Sequence, residues 1–314
     1  MAHRQIGVGE RSPDFELVGQ SGSPTRFYAY AGGRPMALVF GPEGAEGADA
    51  RMGELDALLA GREDVATTRV VERSVAEAYG LDPEQPTVVV LDPNLRVTGV
   101  VPGGHPAAEV VTLLDAAAHR GPTRQVRDQA PVLFVPGVLD TDQCERLIRV
   151  SEQQGDVETG VERGSGGSRS EELDTGYKRR RDHTVGDPEL LRDLSSGVGR
   201  RLMPEVLKAF AFRATRFEGF KIARYDASTG GFFAAHRDNL ARSTAHRVFA
   251  LTLNLNDAYE GGQLRFPEYG NQLYRPDAGA ALVFSCTHLH EVREVTAGER
   301  FVLLSFLYGE PAPR

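Results

Sequence analysis

The stretch Tyr225-Asp226-Ala227-Ser228-Thr229-Gly230-Gly231-Phe232-Phe233-Ala234-Ala235-His236-Arg237-Asp238 decides how the second half of this chain folds. Gly230-Gly231 closes one extended run and Phe232 opens another, so the histidine and the aspartate fall at the end of a strand. Side chains two apart on a strand point to one face, which lets His236 and Asp238 grip the same ion. A lone His-x-Asp arises often by chance and by itself reads better as a hydrogen-bonded surface pair. The third ligand has to come from elsewhere. His290, in Leu289-His290-Glu291-Val292, lies on a later strand, and Arg300 stands beyond an expected turn at Thr296-Ala297-Gly298-Glu299. Two imidazoles and a carboxylate on one face of a metal leave adjacent positions open, which is the donor set of non-haem Fe(II). A guanidinium close by can pair both oxygens of a carboxylate. His288 shares strand parity with His290, so periodicity does not separate the two.

Outward from this stretch the pattern is one of short strands, at 219–225, 232–236, 247–255, 263–266, 280–284, 289–292 and 300–307. Turns rich in Gly, Asn, Asp and Pro separate them. Ahead of them 132–135 reads as a strand and Asp140-Thr141-Asp142-Gln143 as a capping-box start to a helix. Asp187-Pro188 opens a longer helix carrying Leu191, Leu194, Val198 and Leu202, interrupted or restarted at Pro204. Strands at this spacing behind helices indicate a jelly roll, or double-stranded β-helix. The stretch 153–175 is rich in Gly, Ser and Glu and is expected to be a mobile loop or hairpin; whether it closes over the site is left open. Beside it, Lys178-Arg179-Arg180-Arg181 reads as a solvated face. The alternative is that one of these arginines reaches the barrel mouth and meets a substrate carboxylate or peptide carbonyl.

Several phrases then coincide. The residues from Tyr225 to Phe233, Thr252-Leu253-Asn254-Leu255-Asn256, Tyr259-Glu260-Gly261-Gly262-Gln263-Leu264-Arg265-Phe266 and 279–284 leading into His290 resemble the 2-oxoglutarate/Fe(II)-dependent dioxygenases of the prolyl 4-hydroxylase type. The resemblance spans about residues 130–310. It implies that His236, Asp238 and His290 bind Fe(II), that Arg300 clamps the far carboxylate of 2-oxoglutarate, and that Tyr225 donates a hydrogen bond to that co-substrate. Asn254 falls where relatives place another co-substrate contact. His290, unlike His288, has the family's spacing to Arg300. The implied reaction hydroxylates an unactivated C–H bond of an amino-acid or peptidyl substrate, prolyl by analogy, consuming O2 and 2-oxoglutarate and releasing succinate and CO2. Ascorbate is the implied reductant. Asp238 favours hydroxylation, because related halogenases lack this carboxylate. The competing function is a non-catalytic metal-binding scaffold, against which the full ligand set and Arg300 speak.

The first 120 residues follow another pattern. Pro35-Met36-Ala37-Leu38-Val39-Phe40 and Thr87-Val88-Val89-Val90-Leu91 read as buried strands, 64–71 and 96–101 as further strands. Helical spacing is visible in Met52, Leu55 and Leu59, again around Ala76 and Tyr79, and in Val110, Val111 and Leu114. The order β-α-β-α-β-β-α is thioredoxin-like. Gly7-Val8-Gly9-Glu10-Arg11-Ser12-Pro13-Asp14-Phe15-Glu16-Leu17 resembles the opening of the peroxiredoxins, and Gln85-Pro86-Thr87 stands where thioredoxin-like folds place a cis-proline. The thiol such a family needs just after Phe40 is missing, and no cysteine precedes Cys144. Thiolate chemistry requires a thiol, so this half is expected to be a degenerate, non-catalytic module. The boundaries are then 1–120 for that module, 121–129 for a polar linker and 130–314 for the dioxygenase domain.

Composition sets the outer limits. The chain has 314 residues, of which 40% are hydrophobic, and a net charge of −8. This balance argues against a nucleic-acid partner and with it against nucleic-acid demethylation. No apolar run approaches the ~18 residues of a membrane span. Two cysteines, Cys144 and Cys286, build no disulfide framework and read as small buried hydrophobes. The remaining expectations are a cytoplasmic location, a homodimer as one option, and solvent-facing or locally bonded roles for His105, His119, His183 and His246.

Overall fold

In the run Thr87–Leu91 all but the first residue are buried, as a β-branched strand covered on both faces requires. The structure, a computed structural model, describes residues 4–18, 24–118, 121, 123, 125–163 and 170–311. The chain divides into two units, Met1–Arg124 and Gln125–Arg314. His119 and residues 164–169 lie outside the described residues.

The first unit runs β1 (Glu16–Val18), β2 (Pro24–Arg26), α1 (Phe27–Tyr30), β3 (Met36–Phe40), α2 (Glu46–Leu58), β4 (Ala66–Val70), α3 (Arg73–Ala78), β5 (Thr87–Leu91), β6 (Val97–Pro102) and α4 (Ala107–Ala118). Four strands form a mixed sheet in the order β4-β3-β5-β6, with β3 and β4 parallel. Alternate residues serve opposite cores. Ala37, Val39, Val88 and Val90 pack with Leu55 of α2 and Val110 and Leu114 of α4. Met36, Leu38, Phe40, Val89 and Leu91 pack with Val75 and Ala76 of α3, Tyr79 and Phe15. Past Phe40, where a thiol would be needed, the Arg69 guanidinium donates to the carbonyls of Val39, Gly41, Pro42 and Val70. No cis peptide bond occurs among the described residues, so the bond before Pro86 is trans.

The second unit runs β7 (Leu133–Val135), α5 (Thr141–Gln154), β8 (Val157–Glu158), β9 (Val161–Arg163), β10 (Ser170–Glu172), β11 (Lys178–Arg179), β12 (Arg181–Thr184), α6 (Pro188–Phe210), β13 (Phe212–Phe217), β14 (Lys221–Asp226), β15 (Phe232–His236), β16 (Phe249–Asn254), β17 (Tyr259–Gly261), β18 (Leu264–Arg265), β19 (Leu273–Tyr274), β20 (Ala281–Ser285), β21 (His290–Val292) and β22 (Val295–Pro311). A large antiparallel sheet takes the order β7-β20-β16-β22-β14-β12-β8, with β13 and β17 also on β22. A smaller sheet takes the order β11-β15-β21-β18-β19.

The period of two again sorts the side chains. Leu251, Leu253, Val283 and Leu303 pack under Leu194, Val198, Leu202 and Val206 of α6. Their neighbours Ala250, Leu282, Phe284 and Val302 share a second core with Leu264, Phe266, Tyr274 and Val292 of the smaller sheet. Residues of β14, β16 and β22 in this second parity are the ones carried between the sheets.

Three expectations need correction. The helix does not break at Pro204; α6 runs unbroken from Pro188 to Phe210, with Leu202, Glu205 and Val206 buried around the proline. Packing there outweighs the hydrogen bond that proline forfeits. Residues 296–299 are not a turn, because they lie within β22, where Ala297 and Gly298 pair with Glu260 and Tyr259. Gly298, at φ +71°, supplies the local bend that reads as a turn in sequence. Lys178-Arg179-Arg180-Arg181 is not a uniformly solvated face, since Lys178 is buried and Arg180 largely so, while Arg179 and Arg181 are exposed.

Candidate active site

His236 ends β15 and His290 begins β21, and the two are direct partners in the ladder between those strands. Asp238 is not on the strand. It lies two residues past its end, where its N–H donates to the Cys286 carbonyl at 3.0 Å and its own carbonyl accepts from Arg247 at 3.2 Å. This turn swings the carboxylate back between the imidazoles. Oδ1 stands 3.5 Å from His236 Nε2 and Oδ2 stands 3.4 Å from His290 Nε2. One ligand atom from each of the three residues lies within 4.8 Å of the others. The separations exceed a normal direct hydrogen bond and suit donors that share one ion.

Each imidazole has its other nitrogen against a main-chain carbonyl. His236 Nδ1 lies 2.8 Å from the Ala234 oxygen, and His290 Nδ1 lies 3.1 Å from the His288 oxygen. Those contacts assign the proton to Nδ1 and leave the Nε2 lone pair directed at the cluster. Burial pushes the His290 imidazole down to about 4 despite the neighbouring Asp238 charge, so it is neutral at pH 7, as a ligand must be. Burial works against the Asp238 charge, but His290, His236 and Arg247 outweigh it and hold the carboxyl below its ordinary value. Phe233 stacks on His236 at 3.6 Å between ring centres, and Phe284 meets His290 edge-on at 4.6 Å. His288 is outside the cluster, bonded instead to the Tyr269 hydroxyl at 3.2 Å.

Arg300 lies on β22 opposite Tyr225 of β14, and is 2% exposed. Among the described residues no carboxylate pairs with it. Its Nη2 donates to Asn254 Oδ1 at 3.0 Å, and its Nε has no partner among those residues. A buried guanidinium bonded to one neutral amide is short of counter-charge. A planar carboxylate would supply it, which is the fit expected of the far carboxylate of 2-oxoglutarate. The Asn254 amide nitrogen is fully used on the Tyr259 hydroxyl at 2.8 Å and the Pro276 carbonyl at 2.6 Å. Asn254 therefore bonds Arg300 itself. Room for the arginine stem comes from Gly262, where a Cβ would stand 2.9 Å from Arg300 Cδ.

Tyr225 is buried, and its hydroxyl accepts from Arg180 Nη1 at 3.4 Å. Spacing did not reveal the parts played by Arg247, Tyr259 and Gly262. Tyr259 and Gly262 fall inside one of the resembling phrases, while Arg247 carried no signal. Of the histidines expected to be peripheral, His105 pairs with Glu109, His183 with the Gly155 carbonyl and His246 with Glu218.

A sandwich of antiparallel sheets holding two histidines, a carboxylate and a buried arginine between them defines the class of non-haem iron oxygenases that use a 2-oxoacid. Comparison with known sequences agrees. The sequence model of the 2OG-Fe(II) oxygenase superfamily matches residues 220–308. A PKHD-type hydroxylase of Shewanella oneidensis is 30% identical over 176 residues, covering 54% of this chain and 74% of that protein. A PKHD-type hydroxylase of Parvibaculum lavamentivorans is 33% identical over 114 residues, covering 35% of this chain and 51% of that protein, so this chain spans about half its length. Among solved structures, a Pseudomonas putida prolyl-4-hydroxylase aligns over 58% of this chain and 94% of that one, at 18% identity and a TM-score of 0.44. The chain belongs to the 2OG-Fe(II) oxygenase superfamily, and PKHD-type hydroxylases are its relatives. Dependence on Fe(II) and 2-oxoglutarate, and hydroxylation as the reaction, come with that membership.

Proposed function

We propose that this chain hydroxylates an unactivated C–H bond of an amino-acid or peptidyl substrate, prolyl residues among the candidates, at a centre held by His236, Asp238 and His290. The observation that carries this is the conjunction of that cluster on the smaller sheet with Arg300 on the larger one, buried and, among the described residues, without a carboxylate partner. Fe(II), when bound, supplies oxygen activation coupled to conversion of 2-oxoglutarate into succinate and CO2. The protein's part is to place the reactants. The two Nε2 atoms and the Asp238 carboxylate would hold the ion, Arg300 would take the far carboxylate of 2-oxoglutarate, and Tyr225 would donate to that co-substrate. The aromatic rings of Phe233, Phe266 and Phe284 keep water from the inner side. Ascorbate serves as the external reductant.

In this reading residues 1–120 form a degenerate thioredoxin-like module, 121–129 a linker and 130–314 the oxygenase domain. The module recruits a protein or carrier-bound substrate, so its removal weakens substrate turnover and spares decarboxylation of 2-oxoglutarate; equal loss of both would contradict that role. The reaction itself is tested by mass spectrometry of amino-acid and peptide pools incubated with Fe(II), 2-oxoglutarate and air. A member of the pool gains one oxygen atom in step with succinate. Succinate release with no oxygen gain in any amino acid or peptide would place the substrate outside this class.

A further inference from the structure

Two guanidinium groups approach the Tyr225 ring, with Arg300 Cζ 5.4 Å and Arg180 Cζ 5.9 Å from its centre. Among the described residues only Arg180 reaches the hydroxyl. Arginine has no acceptor, so in that contact the phenol oxygen accepts and its own proton is turned elsewhere. Arg180 is in turn locked in a fork: its Nε and Nη2 donate to the two oxygens of Asp182 at 2.6 and 2.7 Å. The Asp182 side chain is 1% exposed and also accepts from Thr159 Oγ1 at 2.7 Å. Lys178 Nζ donates to the same Thr159 oxygen at 2.7 Å and to the Gly160 carbonyl at 3.0 Å. Arg180 further lies over Phe233, the ring stacked on His236. A buried ion pair is poor value as a stabilising device, since apolar residues of similar volume do as well or better. Its position against a hydroxyl of the site indicates a different purpose.

We propose that Asp182 and Arg180 are positioning residues that turn the Tyr225 hydroxyl proton toward the 2-oxoglutarate carboxylate held by Arg300, and so set co-substrate affinity through Tyr225. This deepens the reading of Tyr225 and Arg300 given above and rests on it. The fork fixes the guanidinium plane, the guanidinium occupies the phenol lone pair, and the phenol is left as a pre-oriented donor. Tyr225 and Arg300 are cross-strand neighbours in register, so one carboxylate can meet both.

The test is a double-mutant cycle on the full-length chain, read as anaerobic calorimetric binding of 2-oxoglutarate in the presence of Fe(II). Metal binding by each variant, which uses His236, Asp238 and His290, reports that it is folded. R180M and Y225F are each expected to weaken 2-oxoglutarate about tenfold, the scale of one hydrogen bond to a charged group. The double variant is expected to be no weaker than Y225F alone. R180K keeps the charge without the fork and is expected to stay as weak as R180M; should R180M fail to bind metal, R180K carries the same cycle. Additive losses in the double variant, or wild-type affinity in R180M or R180K, would overturn the proposal. Wild-type affinity in Y225F would remove Tyr225 as a contact, and no binding by the wild type would remove the co-substrate site itself.

Discussion

His236 and His290 face each other across the β15–β21 ladder, their ring centres 4.3 Å apart, with the Asp238 carboxylate reaching both Nε2 atoms. Among the described residues Asp238 alone meets each Nε2, and each Nδ1 is held by a main-chain carbonyl. This pairing is set by register: a slip of one residue would turn one imidazole to the other face of the smaller sheet.

Replacement of His290 by alanine is therefore expected to abolish tight Fe(II) binding, a larger loss than the roughly 10–100-fold that removing an outer-shell partner brings. Isothermal titration of Fe(II) under nitrogen checks it. His288→Ala, outside the cluster, is expected to bind Fe(II) as the wild type does.

The metal-free protein should lose stability as pH falls from about 6.5 to about 4. The folded His290 is held down to about 4 by burial, whereas unfolding restores its ordinary value of 6.5. Between those values the unfolded chain binds more protons, so stability rises with pH across the window and is lost on acidification, by on the order of a few kcal/mol. Thermal melts from pH 4 to 7 measure the slope, and His290→Gln should flatten it.

Asn254→Ala is expected to raise the 2-oxoglutarate concentration for half-saturation by about tenfold, because it releases Arg300 Nη2 from the bond that aims it. The same change strands the Tyr259 hydroxyl and the Pro276 carbonyl, so a drop of roughly 1–3 kcal/mol in stability should accompany it. Half-saturation from succinate kinetics and a urea melt separate the two effects.

Arg237, between the two ligands of the His-x-Asp, makes its own clamp. It donates to Glu268 and to the Thr287 carbonyl, and Glu268 accepts the Leu289 N–H at 2.9 Å. The pair thus ties the ligand turn to the chain just ahead of His290. Glu268→Ala is expected to lower Fe(II) affinity by no more than about fivefold, the scale of an exposed ion pair, read by competition with a fluorescent chelator.

Much of this arrangement is legible before any coordinates. The run Thr87–Leu91 is a strand over the residues that its β-branched composition indicates, and Asp140 with Gln143 closes the capping box that their spacing suggests. The long-range partnership of 236, 238 and 290 is visible because metal ligands impose residue types, although strand parity leaves His288 level with His290 and only the resemblance, through its spacing to Arg300, chooses between them. Other features leave little trace. β17 and β19 are three and two residues long, too short to show a period. β13 carries Arg213 and Arg216 toward solvent and was hidden by the helix ahead of it. Gly298 signals a turn to any local rule, yet here it bends a strand that tertiary pairing keeps extended. Arg180 looks like one member of a charged run, and only the fold shows that alternation buries it against Asp182 while Arg179 and Arg181 stay exposed. Asn254 is expected to be a co-substrate contact, and its amide oxygen accepts from Arg300, the residue expected to clamp that co-substrate, a link that spacing does not show.

The most direct measurement is succinate release from 2-oxoglutarate with Fe(II), ascorbate and air, comparing the wild type with His236→Ala and Arg300→Ala. The wild type should release succinate only when Fe(II) is present, His236→Ala should release none, and Arg300→Ala should need far more 2-oxoglutarate. Succinate formation indifferent to His236, or a wild type that neither forms succinate nor binds 2-oxoglutarate anaerobically with Fe(II), would contradict the assignment of this cluster as the catalytic iron site.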